Sequence, residues 1–323
     1  MIFSVAFLTS CSDNSVSDIK KVRLNEVTRS IFYAPQYIAM GLGFFKEAGI
    51  EIDLKTGEGS DKTMTAVLAS QADIGLLGSS AVISVYSQGK EDCPVMFAGL
   101  TQRDGSFLVG RSPNFDWGDL KGKEIIAGRK GGVPEMTLEY ILSKKGLDPH
   151  KDVKLLNNIQ FNLMSIAFSR GVGDYVALFE PTASTLVHEK SFYILKSLGS
   201  ECEKMTYTCY CCSQKYMENN PEIIQHFTNA IHKAQIWLKN HSAEEAAKVI
   251  APYFVDSDIN FLADCIENYF KSDVWCDSPV ISEESFDFME EIMIRAGELD
   301  KKIDFSKVAE NKYATKAVKN AVG

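Results

Sequence analysis

"VRLNEVTRSIFYAPQYIAMGLGFFKEAGIEIDL", Val22 to Leu54, decides the fold class. The stretch begins by alternating apolar and polar side chains, the period of a half-buried strand. Pro35 stands at the first turn of a helical run, where its missing N–H costs nothing, and Gly49 closes that run at the C-cap side. "IEIDL" then alternates again. Strand, helix and strand in one short segment predict a βαβ unit and a parallel sheet.

The pattern repeats outward from there. Ser60 and Asp61 are placed to cap the helix "KTMTAVLASQ". "ADIGLLG" reads as a short buried strand and "SSAVISVYSQG" as a helix, followed by the strands "PVMFAGL" and "SFLVG". Composition shifts at "RSPNFDWGDLKGKE", and a second α/β unit begins. It holds the strand "EIIAG", the loop "RKGG", a helix opened by Pro134, and the strands "VKLL", "DYVALF" and "YILKSL". From Tyr207 one more strand, "YTCYCCS", leads into helices. Asn220 and Pro221 start one whose apolar face is Ile223, Ile224, Phe227, Ala230, Ile231 and Ala234. Ser242 and Glu245 form a capping box for the next.

These units predict two hinged α/β lobes, each a mostly parallel sheet flanked by helices. Residues 20–108 and 205–323 would form lobe I, and residues 109–204 lobe II. A ligand would lie between them, at strand C-termini and helix N-termini.

The chain has 323 residues and a formal net charge of -9. That balance excludes a general nucleic-acid binder, which needs a basic surface to neutralise phosphates. No apolar run approaches the roughly 20 residues that span a bilayer. The start, "MIFSVAFLTSC", resembles the end of a bacterial lipoprotein signal through Leu8, Thr9, Ser10 and Cys11. No Lys or Arg precedes its apolar run. The resemblance implies lipid on Cys11, with residues 1–19 as signal remnant and tether; the alternative is a chance apolar N-terminus. Eight cysteines are present. With Cys11 set aside an odd number is left, so a complete intramolecular disulfide set is impossible.

Four segments carry a wider resemblance: "YIAMGLGFFKEAGIEIDL", "VLASQADIGLLGSS", "DLKGKEIIAG" and "NPEIIQHFTNAIHKAQIWL". In this order they are similar to the substrate-binding proteins of bacterial ABC importers, in the branch for nitrate, sulfonates, taurine and thiamine-pyrimidine precursors. The resemblance covers residues 20–300. It implies a type II periplasmic-binding-protein fold with its ligand in the interlobe cleft. It also implies a permease and an ATPase as partners, an extracytoplasmic, lipid-anchored location, and no cofactor or chemistry. The eukaryotic synthase of the thiamine pyrimidine phosphate shares this fold and has a cysteine-rich run before its "NPE" helix, as "CYCCS" stands here before Asn220. That enzyme relies on a lysine and a histidine after its "ADIGL"-like strand. The matching positions here are Leu77 and Ala81, which cannot form a Schiff base or give an imidazole.

The resemblance places the cleft at several loops. "TRSIFYAPQY" offers Phe32, Tyr33 and Tyr37, rings able to stack on a flat heterocycle. Ser79 and Ser80 open a helix and can hold a polar atom or simply cap it. Gly131, Gly132 and Val133 precede Pro134 and let backbone N–H groups approach a ligand. In "YVALFEPTAS", Tyr175 begins a strand and Glu180 ends it. A ligand-facing Glu180 would favour an aminopyrimidine or thiazolium cation; the alternative is a carboxylate held by a helix dipole. Thiamine or its pyrimidine precursor is therefore the expected ligand, and a sulfonate or taurine the alternative. Cys209 and Cys211 share one strand face and could line the pocket, whereas Cys211 and Cys212 point to opposite faces and suit a zinc ion poorly. No metal site is expected.

Overall fold

The computed structural model describes residues 19–90, 92–190 and 192–321. The chain begins with β1 (Lys20–Glu26), α1 (Ala34–Gly41), α2 (Phe44–Glu47), β2 (Ile50–Thr56), α3 (Ser60–Leu68) and β3 (Ile74–Gly78). It continues with α4 (Ser79–Ser87), β4 (Pro94–Thr101), β5 (Ser106–Gly110), β6 (Glu124–Ile126), α5 (Val133–Lys144) and β7 (Lys154–Leu156). Next come α6 (Met164–Ser169), β8 (Tyr175–Phe179), α7 (Thr182–Lys190), β9 (Tyr193–Ser197) and β10 (Thr208–Ser213). The remainder is helical: α8 (Gln214–Asn219), α9 (Pro221–Lys239), α10 (Ala243–Ile250), α11 (Ile259–Lys271), α12 (Glu283–Arg295) and α13 (Lys312–Ala321).

Among the described residues, ten strands form two five-stranded sheets, ordered β2-β1-β3-β10-β4 and β7-β6-β8-β5-β9. β1 runs parallel to β2 and β3, and β10 lies antiparallel between β3 and β4. In the second sheet β6 is parallel to β7 and β8, and β5 is antiparallel to β8 and β9. The expected α/β class and two-lobed arrangement are observed. Pairing of β5 with β8 and β9 puts residues 106–108, expected in lobe I, on the second sheet, so the chain crosses between Thr101 and Ser106.

The run opened by Pro35 is two helices rather than one. Gly43 sits at φ 77° between α1 and α2, a conformation that ends a helix and that glycine adopts without strain. Two segments join the lobes, and they brace each other. Met205 donates its backbone N–H to Gln102 O at 2.9 Å, and Tyr207 to Thr101 O at 3.2 Å. The Asp104 carboxylate, fully buried, accepts from the Ser106 backbone at 2.6 Å and from the Tyr207 hydroxyl at 2.9 Å. Gly199 passes so close to this bend that a Cβ there would lie 2.1 Å from the Asp104 carbonyl oxygen. No described helix is long and apolar enough to cross a membrane. Cys11 lies outside the described residues.

Candidate functional site

A cavity of about 480 Å³ opens between the lobes, in the size range of a small-molecule site. The C-terminal ends of β1 and β3 and the β2–α3 loop form its lobe I wall. The β6–α5 loop, the segment before α6 and the end of β8 form its lobe II wall.

Three helices begin at this cavity, and each is capped by glycine: α3 by Gly59, α4 by Gly78 and α5 by Gly132. None of the three has a side-chain cap; Ser79 N–H is used by Tyr207 O and Pro134 has none, and the other first-turn N–H groups keep their donor capacity. A Cβ on Gly78 would lie 3.7 Å from both Ser60 Oγ and Ser80 Oγ, and 3.1 Å from Val133 Cγ2. The starts of α3, α4 and α5 therefore meet around one point. Arg129 stands at the rim, with its Nη1 2.8 Å from Asp61 Oδ1 and 3.3 Å from a Cβ on Gly59. Helix N-termini, hydroxyls and a guanidinium form a positive cradle suited to an anionic group.

A second corner is built on Glu26, at the end of β1 and fully buried. Its carboxylate accepts from the Tyr37 hydroxyl at 2.7 Å, Gln36 Nε2 at 2.8 Å, Arg29 Nε at 3.0 Å and Thr56 Oγ1 at 3.1 Å. Burial raises its pKa, and the hydrogen bond from Tyr37 and the charge of Arg29 oppose that rise. Arg29 lines the cavity, its guanidinium 5.6 Å from the centre of the Tyr37 ring.

Aromatic rings cover the wall between these corners. Phe32 lies 5.8 Å from Tyr33, 5.5 Å from Tyr207 and 5.2 Å from Phe179, ring centre to ring centre. Phe161 adds a ring 5.5 Å from Phe179 and is itself partly exposed.

Glu180 reaches the same wall, but its carboxylate is occupied. It accepts from Ser184 N at 2.9 Å, Ser184 Oγ at 2.7 Å and Asn268 Nδ2 at 2.8 Å. It is fully buried and caps the first turn of α7, and burial raises its pKa. Both of its oxygens accept from the protein, which is the arrangement of the alternative reading, a carboxylate held at the start of a helix.

Of the residues expected at the site, the cavity brings together Phe32, Tyr33, Ser80, Gly132, Val133 and Glu180. The others do not line it. The Tyr37 hydroxyl is turned onto Glu26. Ser79 donates its hydroxyl to Thr206 O and its N–H to Tyr207 O, which ties α4 to β10. Gly131, at φ 71°, faces Glu298, whose carboxyl carbon would lie 3.0 Å from a Cβ there. Tyr175 is at the far end of β8, packed on Phe115 at 5.9 Å, about 13 Å of strand away from Phe179. Cys209 and Cys211 are fully buried on β10, paired with Leu77 and Gly75 of β3. Burial pushes their thiols up, Cys211 to about 12, so they pack as small apolar groups. All seven described cysteines are free, and no group of three metal-ligating side chains occurs among the described residues.

The sequence reading missed Ser60, Gly78, Arg29 and Glu26. It took Ser60 for a cap, but the cap is Gly59 and Ser60 begins the helix with its hydroxyl in the cradle. A Gly-Ser-Ser turn straight after a buried strand was the available signal for Gly78.

Residues 31–245 match the family described as NMT1/THI5 like. The chain belongs to that family. It is 41% identical to a protein of Bacillus subtilis (strain 168) named as a binding protein, YtlA, over 98% of this chain and 94% of that one. It is 25% identical to one from the same organism named as an aliphatic sulfonates-binding protein, over 98% and 95% of the two chains. Its fold is similar to that of the alkanesulfonate-binding protein SsuA from Xanthomonas axonopodis pv. citri, solved bound to MOPS. That match has a TM-score of 0.71 and 16% identity and covers 90% of this chain and 98% of the other.

Proposed function

We propose that this chain is the solute-binding component of an ABC importer. It works outside the cytoplasm, closes its lobes on a small organic anion with a sulfonate-type head, and delivers it to a permease driven by an ATPase. The chain itself does no chemistry. Lipid on Cys11 would keep it at the membrane.

The observation that carries the reading is the convergence of α3, α4 and α5 on Gly78, Ser60 and Ser80, with Arg129 at the rim. Three positive helix ends, with Arg129 held beside them by Asp61, favour an acid and oppose a thiazolium or protonated aminopyrimidine. The preference for a thiamine-type ligand rested largely on Glu180, whose two oxygens both accept from Ser184 and Asn268 at the start of α7. The names of two relatives point to a sulfonate, and the cavity is too large for nitrate alone. A biosynthetic role is opposed by Leu77, buried in β3, and by Ala81 at the lysine and histidine positions.

Thermal unfolding of the folded chain with added ligands tests this. A ligand at 100 times its Kd stabilises the native state by about 2.7 kcal/mol. Alkane- and arenesulfonates are expected to raise the melting temperature, and thiamine and hydroxymethylpyrimidine to leave it unchanged. A rise with the pyrimidines alone would overturn the anion reading.

A further inference from the structure

We propose that the ligand carries a second acidic group, and that Arg29, held in place by Glu26, is the residue that selects for it. The ligand class is a small sulfonate with a second acid a few bonds away, such as a sulfocarboxylate. This rests on the anion reading of the cradle and sharpens it.

Arg29 is not an ordinary surface cation. Its Nε is fixed at 3.0 Å on a carboxylate that is itself buried and held by three further donors. Its plane is steadied 5.6 Å from the Tyr37 ring. Nη1 makes a long contact of 3.5 Å with Tyr253 O, and the remaining guanidinium donors have no protein acceptor among the described residues. The side chain is 41% exposed and lines the cavity. A rigid guanidinium with free donors at a cavity wall recognises a carboxylate-type acid in a way that a flexible lysine does not.

Arg29 and the cradle line one cavity. Thr56 bonds Glu26, the partner of Arg29, and Gly59 abuts Arg129 at the cradle. The loop from Thr56 to Gly59, which also brings Glu58 to the cavity, therefore runs between the two corners, and its ends lie no more than about 10 Å apart. The rings of Tyr33, Phe32 and Phe179 lie on the same cavity wall and suit a flat or apolar connector.

Glu26 acts through Arg29. Tyr37, Gln36 and Thr56 orient the carboxylate, and the carboxylate orients the guanidinium. Without that charge the guanidinium is free to swing into solvent, and the second acid loses its partner.

Calorimetric titration of the purified chain with 4-sulfobenzoate and with benzenesulfonate tests this. The two probes share ring and sulfonate and differ by one carboxylate. The native chain is expected to bind 4-sulfobenzoate on the order of 10- to 100-fold more tightly, the worth of a charge-assisted hydrogen-bonded pair. That ratio should fall to near one in Arg29→Gln and recover in part in Arg29→Lys. It should also fall in Glu26→Gln. A merely structural loss would weaken both probes together and leave the ratio unchanged. Benzenesulfonate binding with a native ratio near one would overturn this inference and leave the sulfonate reading standing. A high ratio that survives Arg29→Gln would overturn the role of Arg29. If neither probe binds, the sulfonate reading itself fails, and this inference with it.

Discussion

Two carboxylates sit at the ends of strands on either side of the cleft, and both are fully buried: Glu26 closing β1 and Glu180 just after β8. In each, burial raises the pKa and several donors oppose it. Their surroundings still give them opposite roles. Every donor on Glu180 comes from lobe architecture, from Ser184 on α7 and Asn268 on α11. Glu26 has two donors that also line the cavity, Thr56 and Arg29, and Arg29 carries a charge there. Burial and a perturbed pKa thus do not by themselves separate a binding group from a structural one. What separates them is whether a partner of the buried group also reaches the ligand space.

That contrast can be broken in order of expected effect. Gly78→Val puts a branched side chain where the Ser60 and Ser80 hydroxyls converge, within 3.7 Å of both. At least two charge-assisted hydrogen bonds are lost, so sulfonate affinity should fall by about 100-fold or more, read by titration calorimetry. Retained affinity would mean the head group lies elsewhere.

Asp104 offers a third buried carboxyl, at the lobe crossing and away from the ligand. Burial pushes its pKa from 3.8 to about 6. A raised folded-state pKa means the native state holds the proton better than the unfolded chain. Its contribution to stability is therefore complete below pH 3.8 and is lost as pH rises through about 6. The loss amounts to about 3 kcal/mol at most. Asp104→Asn should flatten the fall in stability across that window, measured by urea unfolding at several pH values. An unchanged profile would remove Asp104 as its source.

Glu180→Gln comes next. The amide keeps one acceptor oxygen and brings an N–H₂ against donors on Ser184 and Asn268, which should cost about 2 kcal/mol of stability. The ratio of 4-sulfobenzoate to benzenesulfonate affinity should not move. A ratio that collapses with stability intact would erase the distinction drawn between the two carboxylates.

The smallest effect belongs to the cysteines. Cys211→Ala trims a buried thiol and should cost about 1 kcal/mol, seen in thermal unfolding. Added zinc should leave the unfolding temperature of the native chain unchanged, and a zinc-dependent rise would restore the cluster as a ligand set.

Much of the fold was legible because strands and helices announce themselves through local period. The alternation of Val22 to Leu54, the capping box of Ser242 and Glu245, and the apolar face of α9 all survive in the structure. The break in the first helix was harder to read, because a glycine is compatible with either a continued helix or a left-handed stop, and only Gly43's backbone says which. The site was legible where a loop was bound to reach the cleft, as with Tyr33, Ser80, Gly132 and Val133. It was illegible where function depends on the direction of a side chain. Tyr37 and Ser79 lie in the first turns of α1 and α4, close to the cleft, and turn to Glu26 and Thr206 instead. "CYCCS" drew notice by composition, yet its place in the middle of a covered sheet makes it core.

The sequence by itself determined the α/β class, the two lobes and the loops that end at the cleft, because hydrophobic period, glycine stops and caps act over neighbouring residues. Only the tertiary structure decided the sign of the site. Residues 60, 78 and 129 belong to separate elements, and a cradle of helix ends exists only where they are brought within a few ångströms, since electrostatic interaction depends on distance in space and not on separation along the chain.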